Sequence, residues 1–174
     1  KTPSLERVEN GFVNLQKHIE NAKTFGFNPV IAINHFVKDS QEEIELLQKM
    51  CGEMNVKSVL AKAWELGGNG TQDLARAVVA EIESGNSNFK PLYDHSKSPK
   101  EKIDTIAKTI YGADGVEYSA KALEGLKRIE KIGLSNLPIC MAKTQKSFSD
   151  NEKKIGRPSG FTVTVREFEI AAGA

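Results

Sequence analysis

Pro29 to Phe36 reads PVIAINHF, and a second apolar run, Val56 to Ala61, reads VKSVLA. Pro29 to Ile33 is a short apolar run rich in β-branching, the pattern of a strand buried on both faces. Between the two runs, Ser40 and Glu43 stand three apart ahead of Ile44, Leu47, Cys51 and Met54. That is a capping box opening a helix, because each side chain satisfies a backbone N–H that the first turn leaves orphaned. Upstream, Leu5, Val8, Phe12, Leu15, Ile19 and Ala22 recur at three- and four-residue steps and predict an amphipathic helix that stops near Gly26. Downstream, Gly67-Gly68-Asn69-Gly70 turns the chain into a helix with Leu74, Val78 and Ile82 on one face. Helix, strand, helix, strand, loop and helix in succession is the rhythm of a parallel α/β sheet flanked by helices.

From Ser84 to Ser98 the composition shifts to Gly, Ser, Asn and Pro, which places a boundary near residue 90 and predicts two domains, 1–90 and 91–174. In the second, Ser98-Pro99-Lys100-Glu101 sets an N-cap, a first-turn proline and a capping-box glutamate in register for a helix carrying Ile103, Ile106, Ala107 and Ile110. Gly115 to Tyr118 reads as a short strand, and Ser119 caps a helix with Leu123, Leu126 and Ile129 that ends at Gly133. Ile139 to Ala142 is a further strand candidate, Ser147 to Gly160 reads as a long loop, and Phe161 to Ile170 alternates as an extended segment. A smaller α/β domain is the expectation for this half.

Composition excludes several classes. The 24 basic residues nearly balance the 23 acidic ones and are scattered, so nothing marks a nucleic-acid surface. No run approaches the ~18 apolar residues of a membrane helix, and the first residues carry no signal-peptide core, which together point to the cytoplasm. Cys51 and Cys140 are far apart, without metal-ligand spacing, and are expected to be reduced and packed. No metal site is indicated.

In parallel sheets, ligands collect at the C-terminal ends of the strands. Phe36 follows the first strand there and Trp64 the second. Two rings rising from neighbouring strand ends can clamp a flat heterocycle, and base-on-aromatic stacking contributes about 1 to 3 kcal/mol per ring. The residues alone leave open whether the rings do this or merely roof the sheet. Gly67, Gly68 and Gly70 allow close backbone approach and offer N–H groups near a helix start, which suits a phosphate or carboxylate, although such a turn can equally be just a turn. Asn34 is a candidate for a pocket or turn hydrogen bond, whereas His35 and Val37 stand where a guanine-reading strand end needs Lys and Asp. The block from Lys143 to Asp150 is dense in donors, for an anion, a neighbouring subunit or only solvent. No Gly-x-x-x-x-Gly-Lys-Ser/Thr loop, dinucleotide-binding glycine turn or nucleophile triad is found, and no catalytic residue is assigned.

The runs Gln16 to Asn21 (QKHIEN), Pro29 to Phe36, Trp64 to Gly70 (WELGGNG), Ile106 to Ala113 (IAKTIYGA), Leu137 to Asp150 (LPICMAKTQKSFSD) and Val165 to Gly173 (VREFEIAAG) resemble formate–tetrahydrofolate ligases, in order across nearly the whole chain. The resemblance implies an ATP-dependent joining of formate to N10 of tetrahydrofolate through formyl phosphate, with ATP (with Mg) and tetrahydrofolate as substrates and no tightly bound cofactor. It implies that residues 1–90 end a P-loop-NTPase-like domain whose phosphate loop lies in an N-terminal region outside this sequence, and that the second domain is cut short at its C-terminal end. Phe36 and Trp64, with Leu60 lining the same slot and the glycine turn shaping its edge, would then flank the pterin or purine. The partners implied are small molecules, the rest of the chain and copies of itself in a homotetramer. The competing expectation is a non-catalytic assembly module.

Overall fold

Val30–Asn34 (β1) and Lys57–Ala61 (β2) pair in parallel, with Val30 opposite Lys57 and Asn34 opposite Ala61. The computed structural model describes residues 3–171; Ala172 and Gly173, the end of the VREFEIAAG run, lie outside them. The chain divides into two compact units, Lys1–Lys90 and Pro91–Ala174.

In the first unit, Leu5–Thr24 (α1) precedes β1, and Gln41–Glu53 (α2) makes the crossover to β2. Parallel strands need such a crossover because a tight turn can only reverse the chain. Phe12 and Ile19 of α1, Cys51 of α2 and Val56 bury together, with Leu15, Ile31, Leu47, Met50 and Met54 packed around them. The expected burial of β1 on both faces does not hold: Ile33 is buried, while Ala32 and Asn34 are exposed. With only β2 beside it, the strand has one covered face and one thinly covered one. On that second face lies Gln72–Ser84 (α4), reached through the short helix Ala63–Leu66 (α3) and a 3₁₀ turn, Gly67–Thr71. The half-buried stripe of α4 is Leu74, Ala77 and Glu81, whereas Val78 and Ile82 of the expected apolar face are exposed. Glu81, on this stripe, accepts the Asn28 side-chain amide at 3.0 Å.

The capping box of α2 does more than end a helix. Ser40 Oγ accepts from the Glu43 N–H, one Glu43 oxygen accepts from the Ser40 N–H at 3.2 Å, and the other accepts the Ser4 N–H at 2.7 Å. Ser4 is the N-cap of α1, so a single carboxylate joins the starts of two helices. The Ser4 and Ser40 N–H groups hold that carboxyl below the usual carboxylate range.

The second unit repeats the parallel pair. Gly115–Tyr118 (β3) lies beside Thr162–Val165 (β4), in the register Val116 to Val163. Ala107, Ala113, Phe161 and Val163 form its core, with Tyr111, Val116 and Met141 packed against it. Ser98 and Glu101 form the expected capping box of Pro99–Thr105 (α5). The helix then widens into a π-helical turn, Ile106–Tyr111, instead of continuing as one α-helix. Ser119 caps Ala120–Lys131 (α6): its Oγ accepts from the Ala122 N–H and donates to the Arg166 carbonyl.

Ile139 to Ala142 is not a strand. Side chains take its backbone groups: Tyr93 Oη accepts the Ile139 N–H at 2.9 Å, and Tyr111 Oη donates to the Met141 carbonyl at 3.3 Å. Just before it, the fully buried Lys102 donates to the carbonyls of Ser135 (2.7 Å) and Leu137 (3.1 Å). Cys51 is packed as expected, and burial pushes its thiol up; Cys140, against expectation, is exposed. Among the described residues, no helix is long and apolar enough to cross a membrane.

Two outcomes follow. Lys102→Met keeps the apolar stem but takes the donor from the Ser135 and Leu137 carbonyls, so urea denaturation should show a loss of about 1 to 3 kcal/mol. Glu43 has a lowered carboxyl pKa in the folded state, so its stabilisation is present above the ordinary carboxylate pKa and lost as pH falls through the folded value. The urea midpoint of the parent chain should therefore drop as pH is lowered below the ordinary carboxylate range. In Glu43→Gln that drop should be shallower and the midpoint at neutral pH lower.

Candidate functional site

Both strands of the first unit point the same way, so their C-terminal ends share one edge. Each end is closed differently. After β1, the His35 N–H makes the last bond to β2, donating to the Ala61 carbonyl at 3.0 Å. The chain then turns through Phe36 to Asp39: the Phe36 N–H donates to Asp39 Oδ2 at 2.8 Å and the Asp39 N–H donates to the Phe36 carbonyl at 2.9 Å. A side chain and a backbone bond together hold Phe36 at the lip of the sheet. Its ring is 49% exposed and has no aromatic neighbour among the described residues.

After β2, Lys62 leaves strand geometry at φ −96°, ψ 42° and stands just ahead of α3, whose second residue is Trp64. Trp64 is 78% exposed and likewise touches no other ring. Leu60, opposite Ile33 in the register, is half-buried. Asn34, opposite Ala61, is exposed. The structure thus brings Phe36, Trp64, Leu60 and Asn34 to the same edge, with both rings open to solvent and not spent on one another.

The glycine turn closes this edge, and its three glycines are not equivalent. Gly67 sits at φ 56°, ψ −139°, a conformation that side chains avoid. Gly70 touches the chain leaving β2: the Lys62 N–H donates to the Gly70 carbonyl at 2.9 Å, and a Cβ on Gly70 would lie 2.3 Å from the Lys62 carbonyl oxygen. Gly68 has nothing within 4 Å of where its Cβ would stand. The turn is therefore a clasp between the end of β2 and the start of α4, with Thr71 Oγ1 donating to the Gly68 carbonyl at 3.0 Å. Nothing in the spacing of the glycines distinguishes the clasp at Gly70 from the open position at Gly68. Asp39, three residues beyond Phe36, is the other residue that the sequence reading passed over.

An open depression lies at the starts of α1 and α2, lined by Pro3, Ser4, Leu5, Ser40, Glu42 and Glu43. None of the slot residues lines it, and its Glu43 is committed to helix capping. His35 adds no acid–base partner; its Nδ1 is buried and unpaired. Among the described residues, no three His, Cys, Asp or Glu side chains group as a metal site.

In the second unit, the donors from Lys143 to Asp150 are largely used within the unit. Lys143 Nζ donates to the carbonyls of Thr144 and Ser147 and lies over the rings of Tyr111 (5.2 Å) and Phe148 (6.0 Å). Burial lowers its pKa. Ser147, Phe148 and Ser149 are buried, and Asp150 Oδ2 accepts the Thr164 N–H at 3.1 Å. The segment is a self-bonded loop anchored on β4, which is not the arrangement of a free anion receptor.

Gly70→Ala should force the clasp apart and lower the thermal midpoint by several degrees, about 1 to 3 kcal/mol of backbone and packing strain. Gly68→Ala should fold with a midpoint close to the parent's, as differential scanning fluorimetry of the two variants would show.

A comparison with known families adds what the edge alone does not supply. The sequence model of formate–tetrahydrofolate ligase matches residues 1–174, the whole of this sequence. Two aromatic side chains at the C-terminal edge of a parallel sheet suit a ligand with a flat ring system, as a folate or a purine nucleotide is. The chain belongs to the formate–tetrahydrofolate ligase family.

Proposed function

We propose that this chain works in the ATP-dependent joining of formate to tetrahydrofolate and that its first unit holds the planar part of the folate or nucleotide between Phe36 and Trp64. Membership of the family implies ligase function, with formate, tetrahydrofolate and ATP as substrates. One observation carries the finer reading: the parallel register of β1 and β2 sets two exposed, mutually unstacked rings on one edge. Leu60 supplies an apolar side of the slot, Asn34 a polar group at its floor, and Gly67, Gly68 and Gly70 its rim.

The reaction runs in two steps. A formate oxygen takes the terminal phosphoryl group of ATP, releasing ADP and giving formyl phosphate. The N10 amine then attacks the formyl carbon, the C–O bond to phosphate breaks, and the amine proton is lost to give 10-formyltetrahydrofolate. No residue among the 174 is proposed to move a proton or to transfer the phosphoryl group, since the sequence holds no Gly-x-x-x-x-Gly-Lys-Ser/Thr loop. We assign that work to residues outside this sequence, in the P-loop-like domain of which residues 1–90 are the closing part.

The contribution of this part is positioning. Fixing the heterocycle by two ring faces presents N10 in line with the anhydride, which raises effective concentration and removes rotational freedom before the chemistry begins. Cytoplasmic location and a homotetramer complete the proposal. A second reading, an assembly module, draws support from the exposed Leu123, Leu137 and Ile155 of the second unit.

Trp64→Ala in the full-length enzyme should raise the tetrahydrofolate KM about fivefold to a hundredfold, with kcat little changed. An unchanged KM with lost turnover would defeat the stacking role, and a purified chain that elutes as an oligomer without binding folate would favour assembly.

A further inference from the structure

Two lysines adjoin the proposed slot residues along the chain. Lys38 stands two residues after Phe36, and Lys62 two residues before Trp64. Neither side chain has a hydrogen-bond or ion-pair partner among the described residues. Both are held by backbone geometry that serves the edge itself.

Lys38 is the third residue of the Phe36–Asp39 turn, and the acid in that turn is occupied: Asp39 Oδ2 accepts the Phe36 N–H at 2.8 Å. The carboxylate therefore locks the turn and does not pair with the ammonium beside it. Lys62 is gripped more firmly. Its N–H donates to the Gly70 carbonyl, and a Gly70 Cβ would press on its carbonyl and Cβ at 2.3 and 3.0 Å. Its side chain leaves α3 without a cap and is half-buried, between Leu60 and Trp64 in the chain. Glu65, three residues on, is placed for a helical ion pair with Lys62 yet forms none. A cation partly withdrawn from water and left without a counter-charge lacks the partner that usually offsets its desolvation.

We propose that Lys38 and Lys62 are specificity-determining residues that receive the anionic tail of the ligand whose flat head lies between Phe36 and Trp64. The shared chemistry is an oxyanion joined to a planar heterocycle. It is met by the glutamyl carboxylates of tetrahydrofolate and by the phosphates of a purine nucleotide. This inference rests on the slot reading and goes beyond it, since ring stacking alone does not distinguish a ligand with a charged tail from one without. The asymmetry of the pair gives Lys62, fixed and half-buried, the larger share. Lys38, on an exposed turn, adds a solvent-screened contribution.

The test follows fluorescence of Trp64, the sole tryptophan, in the 174-residue chain, with absorbance correction, for two matched pairs of probes. Tetrahydrofolate is set against 6-methyltetrahydropterin, which lacks the tail, and ADP against adenosine. In the parent chain the tailed member of one pair should bind more tightly, with an advantage that shrinks as salt rises. In Lys38→Gln/Lys62→Gln that advantage should fall about three- to tenfold, while the tail-less probe binds as before. Lys62→Arg should keep most of it.

Closure of the folate gap identifies the carboxylates as the anion, and closure of the nucleotide gap identifies the phosphates. Both gaps unchanged in the double variant would overturn the proposal and leave the slot standing. Failure of all four probes to quench Trp64 would remove the slot, and this inference with it.

Discussion

Parallel pairing of β1 and β2 is the constraint on which the first unit depends. An antiparallel pair would put the end of one strand beside the start of the other, and the residues following the two strands would lie at opposite edges. Parallel pairing sends both exits to one edge and obliges the chain to return through a helix. The cost is a two-stranded sheet that cannot bury both faces by itself. α1 and α2 cover one face with a core of Phe12, Ile19, Cys51 and Val56, and α4 covers the other only along Leu74, Ala77 and Glu81.

Small polar devices fix what this thin core leaves loose. The Glu43 carboxylate joins two helix starts, Asp39 locks the turn that carries Phe36, and Gly70 admits the backbone of Lys62 to a distance that no side chain allows. In the second unit, Lys102 and Lys143 play comparable roles, each ammonium meeting backbone carbonyls. A cation on a long stem can gather carbonyls from an irregular segment that no strand partner satisfies. Residues 135–150 follow an irregular path tied down by such bonds.

The candidate site is accordingly made of backbone exits more than of a cavity. Its two rings are exposed, its glycine turn is a clasp, and its lysines have no partners among the described residues. Such an edge suits a ligand with a flat face and a charged rim. The role proposed for it in a ligation is to hold the nucleophile's carrier still.

Much of this was legible in the chain because the signals were local. The capping boxes at Ser40–Glu43 and Ser98–Glu101, the strand at Gly115–Tyr118 and the placement of Phe36 and Trp64 just past two apolar runs depend on spacing of a few residues, which the sequence states directly. The family, too, was readable from its ordered runs. What the sequence left undecided depends on contacts between distant residues. The Ile139 to Ala142 segment looks like a strand until Tyr93 and Tyr111 take its backbone groups. The π-helical turn interrupts an apolar periodicity that predicts a plain helix. α4 turns inward the face that carries Leu74, Ala77 and the Asn28-bonded Glu81, while Val78 and Ile82 stay exposed. Gly68 and Gly70 are indistinguishable in composition and opposite in consequence, because only the folded chain brings Lys62 against one of them. Local spacing determined which elements form; the approach of one backbone to another decided which residues they bury and which they leave free for a ligand.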